Sequence, residues 1–154
     1  MQMPSKNKER RRFRRLPAAE LRVAWRPRKG LFGSYSATES HDFTREGLSI
    51  IERSDCFEIG DRLELRLELW MEASTLSLER IQGEIVNRQT LPDAGSLSRF
   101  GIAFNFTGSR LMRSQQTRAQ LGRIEGILER SEKLRLRLQP LEHIRGLAEQ
   151  LENG

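Results

Sequence analysis

The 154-residue chain has one cysteine, one tyrosine and two tryptophans, and no stretch of more than three consecutive residues from its hydrophobic set. The lone Cys56 excludes an internal disulfide and a cysteine-based zinc knuckle, and it is expected as a buried or half-buried thiol. Without a long apolar run there is neither a membrane-spanning helix nor the hydrophobic core of a secretory leader, so a cytoplasmic protein is expected. Hydrophobic residues make up 36% and charged residues 31%, which points to a modest core carrying a polar or helical appendage. The length admits one small domain and an extra element, but not two catalytic lobes. His41 and His143 lie far apart and lack metal-ligand neighbours, and no GxSxG, P-loop or HExxH string occurs. The chain therefore reads as a non-enzyme, with no catalytic residue, metal site or cofactor expected.

Charge is unevenly spread. Residues 1–15 hold seven basic side chains and only Glu9 as an acid, so this segment accounts for the whole net charge of +6. The remainder is balanced, with 20 basic and 20 acidic groups. An anionic ligand is expected at the basic end. Residues 1–9 have almost nothing to bury and read as a flexible N-terminal arm.

Beyond Arg15 the pattern becomes that of strands. Leu21, Val23 and Trp25 alternate with polar or small residues until Pro27, whereas residues 29–40, rich in Gly, Ser and Thr, read as a loop. His41 is placed in a loop, beside Asp42, as a loop or pocket-rim residue. A second strand is expected over 47–51. Residues 62–69 alternate charge and leucine without a break, which is the period of a strand with one wet face. Leu76, Leu78, Ile81, Ile85 and Val86 suggest a longer strand whose phase changes near Gly83. Phe100, Ile102, Phe104 and Phe106 supply the last strand, after a turn at 92–95. Trp25, Trp70 and the phenylalanines fall on these patterns, and most of them are assigned to the core, with Phe13 as an anchor of the arm. Short strands at such intervals, with no helix between them, predict a mainly β domain: a small antiparallel β-barrel.

From Ser109 the composition turns to Gln, Arg, Glu and Leu, which predicts a long C-terminal α-helix. Leu121, Ile124, Leu128, Ser131 and Leu138 form one apolar row, and Ile127, Leu134 and Leu141 form an adjoining one. Pro140 is expected to interrupt or kink it. Two apolar rows suit either packing on the chain's own barrel or self-association into a homo-oligomer. The organisation expected is thus an arm (1–9), a barrel domain (10–108) and a helical extension (109–154).

Three blocks stand in a telling order. Glu9-Arg10-Arg11-Arg12-Phe13-Arg14-Arg15 is followed by Asp42-Phe43-Thr44-Arg45-Glu46-Gly47 and then by Gly101-Ile102-Ala103-Phe104. In these the chain resembles the PilZ family of cyclic di-GMP receptors, which has RxxxR before the first barrel strand, [D/N]xSxxG at a later strand and a GxxF-like last strand. Arg11 and Arg15 match the first motif, Asp42 and Gly47 the ends of the second, and Thr44 stands where serine is usual. The resemblance covers residues 9–107 and implies a PilZ-like barrel that binds the second messenger cyclic di-GMP for signalling. On that reading the ligand residues are Arg10, Arg11, Arg15, Asp42, Thr44 and Gly47. Arginine forks suit phosphodiesters and the guanine O6 and N7 acceptors, and Asp42 suits guanine N1–H and N2–H. Thr44 would supply a hydroxyl, and Gly47 close backbone approach. The signal would pass to a downstream protein by ordering of the arginine arm. The alternatives are a PilZ-like adaptor that binds no nucleotide, and a nucleic-acid binder that uses the basic arm alone.

Overall fold

Along the chain the computed structural model has β1 (Glu20–Pro27), β2 (Ser36–Thr44), β3 (Gly47–Arg53), β4 (Arg62–Trp70), β5 (Thr75–Thr90) and β6 (Leu97–Phe104). A short helix α1 (Arg110–Arg113) and a long helix α2 (Gln115–Asn153) follow. The structure describes residues 19–28 and 33–153, with side chains through Leu134. The strands close an antiparallel barrel in the order β1-β2-β3-β6-β5-β4, with β4 returning to pair with β1.

The alternation of β4 is fully realised. Leu63, Leu65, Leu67 and Leu69 are all buried, while the charged residues between them face outward. At about 1.5–3 kcal/mol for each buried side chain, these leucines are a main source of the barrel's stability. Val23, Leu48, Ile50, Ile81, Ile85, Phe100 and Ile102 complete the same interior.

Several expectations are corrected. The end of the stretch assigned to a loop, from Ser36 onward, is strand β2, and His41 and Asp42 lie within it. Its polar residues gave no apolar period to read, because only Phe43 of this strand packs against the core. The phase of β5 changes at Glu79–Arg80, which together oppose Arg66, rather than at Gly83; Arg80 sits at φ 60°. A second extra residue, Val86, is left exposed between Ile85 and Asn87. Trp70 is an exposed strand-end residue, with the Arg22 guanidinium 4.3 Å from its ring centroid. Pro140 does not end α2, which runs on to Asn153. Proline removes one backbone hydrogen bond, and the flanking Leu, Gln, Arg and Glu are helix formers that sustain the rest.

The chain divides into two compact units, one of them Glu20–Glu125, and the other takes in the remainder of α2 from Gly126. The barrel unit reaches past Gly108 because Met112, Leu121 and Ile124 are fully buried, the first two within the barrel's own core cluster. Ser109 caps α1 by accepting from the Met112 N–H at 3.1 Å. The Met112 sulfur in turn accepts from the Gln82 N–H of β5 at 3.4 Å. The opening turns of α2 therefore pack on the chain's own barrel.

Candidate functional site

The β2–β3 hairpin carries the second motif, and its geometry follows from one extra residue. His41 pairs with Ser49 and Thr44 with Gly47, so Asp42 and Phe43 together face Leu48. This bulge sets Asp42 at φ 53°, a left-handed conformation that aspartate tolerates better than most residues. Phe43 packs toward the core with its ring 5.9 Å from that of Phe104. The Asp42 carboxylate is left 75% exposed, with one oxygen 3.5 Å from an Arg99 guanidinium nitrogen.

The hairpin tip is held locally. The Thr44 hydroxyl accepts from the Glu46 N–H at 3.2 Å and donates to the Gly47 carbonyl at 3.4 Å. Gly47 approaches β6 so closely that a Cβ there would lie 2.2 Å from the Ile102 carbonyl oxygen. That strand contact is itself a reason for glycine at this position. The Glu46 carbonyl accepts from the Phe104 N–H at 2.8 Å, so the tip is tied to β6 on one side. On the other it is tied to α2, because Arg45 donates its backbone N–H (2.7 Å) and its Nε (2.8 Å) to the two carboxylate oxygens of Glu125. The backbone N–H, followed by the guanidinium donor, holds the Glu125 carboxyl below its ordinary range.

Strand β6 supplies the neighbouring surface. Phe100, Ile102 and Phe104 point inward, so Arg99 and Gly101 face out. Arg99 lies between Ile51 of β3 and Gln89 of β5. Its Nε is buried and has no hydrogen-bond partner among the described residues. Gly101 leaves space for Asn87, whose Oδ1 accepts the Gly101 N–H at 3.1 Å. His41 contacts Glu39 at 3.1 Å, and its backbone carbonyl accepts from the Ser49 hydroxyl.

Asp42, Thr44 and Gly47 are thus brought together on one hairpin, whereas Arg10, Arg11 and Arg15 lie outside the described residues. Sequence reasoning missed Arg99 and Glu125. The alternation in 97–104 could have marked Arg99 as outward-facing, but its closeness to Asp42 depends on the bulge.

A cavity of about 710 Å³ opens at the other end of the barrel, lined in part by Trp25, Pro27, Phe57 and Leu63. Cys56 borders it, and burial, reinforced by the Glu52 and Asp55 carboxylates, pushes its thiol pKa up and away from nucleophilic use. Among the described residues no three His, Cys, Asp or Glu side chains are grouped to hold a metal ion.

The PilZ domain model matches residues 9–124, a span that takes in the arginine block, the hairpin, the last strand and the start of α2. The chain belongs to the PilZ domain family. PilZ domains are cyclic di-GMP receptor domains and are generally non-catalytic. A search of curated proteins found no match. Among solved structures, the chain is similar to a Bacillus subtilis inhibitor of motility (MotI/DgrA), with a TM-score of 0.53 and 15% identity. That similarity covers 73% of this chain and 47% of the other, so it spans about half the length of that protein and concerns the fold. No helix among the described residues is long and apolar enough to cross a membrane.

Proposed function

We propose that this PilZ domain is a non-catalytic cytoplasmic receptor that binds cyclic di-GMP through Arg10, Arg11, Arg15, Asp42, Thr44 and Gly47, and needs no cofactor. The observation that carries this reading is the Asp42 bulge. It turns an acidic side chain outward on an otherwise tightly tied hairpin, in a motif that follows the arginine block in family order. A carboxylate there is a poor choice for a surface that only attracts polyanions, and a good one for accepting guanine N1–H and N2–H. The arginines supply charge-assisted bonds to the phosphodiesters. Closure of the arginine arm over the ligand then creates a face that a downstream protein reads.

Isothermal titration of the full chain with cyclic di-GMP tests this. Saturable binding is expected, and Arg11→Ala or Arg15→Ala should each weaken it by roughly 1.5–3 kcal/mol, the worth of one charge-assisted contact. Amide exchange should show residues 6–16 more protected with ligand than without. Absence of binding would favour the adaptor reading. Parental affinity in both arginine variants would overturn the site assignment.

A further inference from the structure

The pairing of Asp42 with Arg99 has a consequence for base recognition, resting on the proposed function above. Guanine presents its N1–H and N2–H donors directly beside its O6 and N7 acceptors. A carboxylate and an arginine fork standing side by side are the complement of those adjoining edges. Such a pair exists on this barrel. The Asp42 carboxylate of β2 and the Arg99 guanidinium of β6 are 3.5 Å apart, across the intervening strand β3.

The existing contact between them is easy to exchange. At 3.5 Å it is longer than the 2.7–2.9 Å of a charge-assisted hydrogen bond, and both side chains retain access to solvent, at 38% for Arg99 and 75% for Asp42. The Arg99 Nε is buried without a partner among the described residues, so no hydrogen bond at that nitrogen fixes the guanidinium in place. Its stem is held by its place in β6, between Ile51 and Gln89, so the fork is displayed from a paired strand and not from a mobile loop.

We propose that Arg99 is a specificity residue of the ligand site, donating to O6 and N7 of the guanine whose N1–H and N2–H are accepted by Asp42. The pair selects guanine against adenine, because adenine offers an amino donor where guanine has O6 and lacks the N1–H that Asp42 would accept. Arg99 neutralises Asp42 in the free protein and turns to the base when ligand binds.

The test is titration of the full-length parent, Arg99→Ala and Arg99→Lys with cyclic di-GMP and with cyclic di-AMP. Arg99→Ala should weaken cyclic di-GMP binding by about tenfold or more, while any cyclic di-AMP affinity is unchanged, so the preference for guanine falls by the same factor. Arg99→Lys keeps the charge and most of the stem but not the fork, and should restore less than half of the lost discrimination on a logarithmic scale. Thermal melts should show that both variants remain folded. If the parent binds cyclic di-GMP and Arg99→Ala keeps the same preference, this assignment fails while the proposed function stands. Tighter binding by Arg99→Ala would likewise overturn it, since Arg99 would then only compete for Asp42. A parent that binds no cyclic dinucleotide would overturn both.

Discussion

Strands β4 and β2 stand on either side of β1 in the same barrel and do opposite work. Strand β4 buries four leucines and displays charged residues that alternate with them. Strand β2 gives the core only Phe43, has a left-handed residue and an extra residue in its ladder, and displays the Asp42 carboxylate. A strand that makes the barrel stable can be regular because nothing else is asked of it. The strand that shapes the candidate site is irregular and is held by its neighbours: β1 and β3 through the ladder, Arg99 beside Asp42, and Glu125 at the tip.

Breaking the β4 side should have the largest effect on stability. Leu65→Ala or Leu67→Ala removes a fully buried side chain and should cost about 2–5 kcal/mol, read as a lower urea midpoint. Gly47→Ala comes next. Its new methyl would meet the Ile102 carbonyl at 2.2 Å, so backbone must move, and a loss of roughly 1–3 kcal/mol is expected in the absence of any ligand. A Gly47→Ala protein as stable as the parent would show that β6 does not require glycine there.

The contact between the hairpin tip and α2 gives a smaller, pH-dependent effect. Glu125 has its pKa depressed in the folded protein by the Arg45 backbone N–H and guanidinium. Its contribution to stability is therefore present above the unfolded carboxylate pKa, near 4.3, and is lost as pH falls through the lower folded value. Glu125→Gln should be less stable than the parent at pH 7, and the gap between the two urea midpoints should narrow toward pH 3. A gap that did not change with pH would contradict the role of this carboxylate in holding the hairpin tip.

The smallest stability change is expected at Asp42. Asp42→Gly removes an exposed ion pair worth about 0–1 kcal/mol, while glycine relieves the φ of 53°. The net shift should stay within about 0.5 kcal/mol. A large loss would mean that Asp42 is retained for stability, and the contrast between the two strands would weaken.

How much of this was legible in the sequence follows the same division. The leucine alternation of β4 and the phenylalanines of β6 announced a barrel because burial imposes a period of two on any strand with one dry face. The first half of strand β2 reads as a loop because its hydrogen bonds go to neighbours that composition does not reveal, and a strand with one core residue has no period. The bulge at Asp42 and the phase change at Glu79–Arg80 were hidden for a related reason. Each depends on which residue of the partner strand lies opposite, and that register is a property of the assembled sheet. The motif residues Asp42, Thr44 and Gly47 were found by resemblance, but not that Thr44 is engaged in its own turn or that Gly47 lies against Ile102. The link from Arg45 to Glu125 joins positions 80 residues apart, and no local pattern marks it.

The most direct test of the central claim compares the parent with Asp42→Gly by isothermal titration with cyclic di-GMP at physiological salt. The substitution makes the protein more positive and suits the backbone at this position, so attraction of an anion through charge alone predicts equal or stronger binding. Guanine recognition by the Asp42 carboxylate predicts saturable binding by the parent and a loss of at least about tenfold in the variant, because N1–H and N2–H lose their acceptor. Binding by Asp42→Gly as tight as that of the parent, or no binding by either protein, would contradict it.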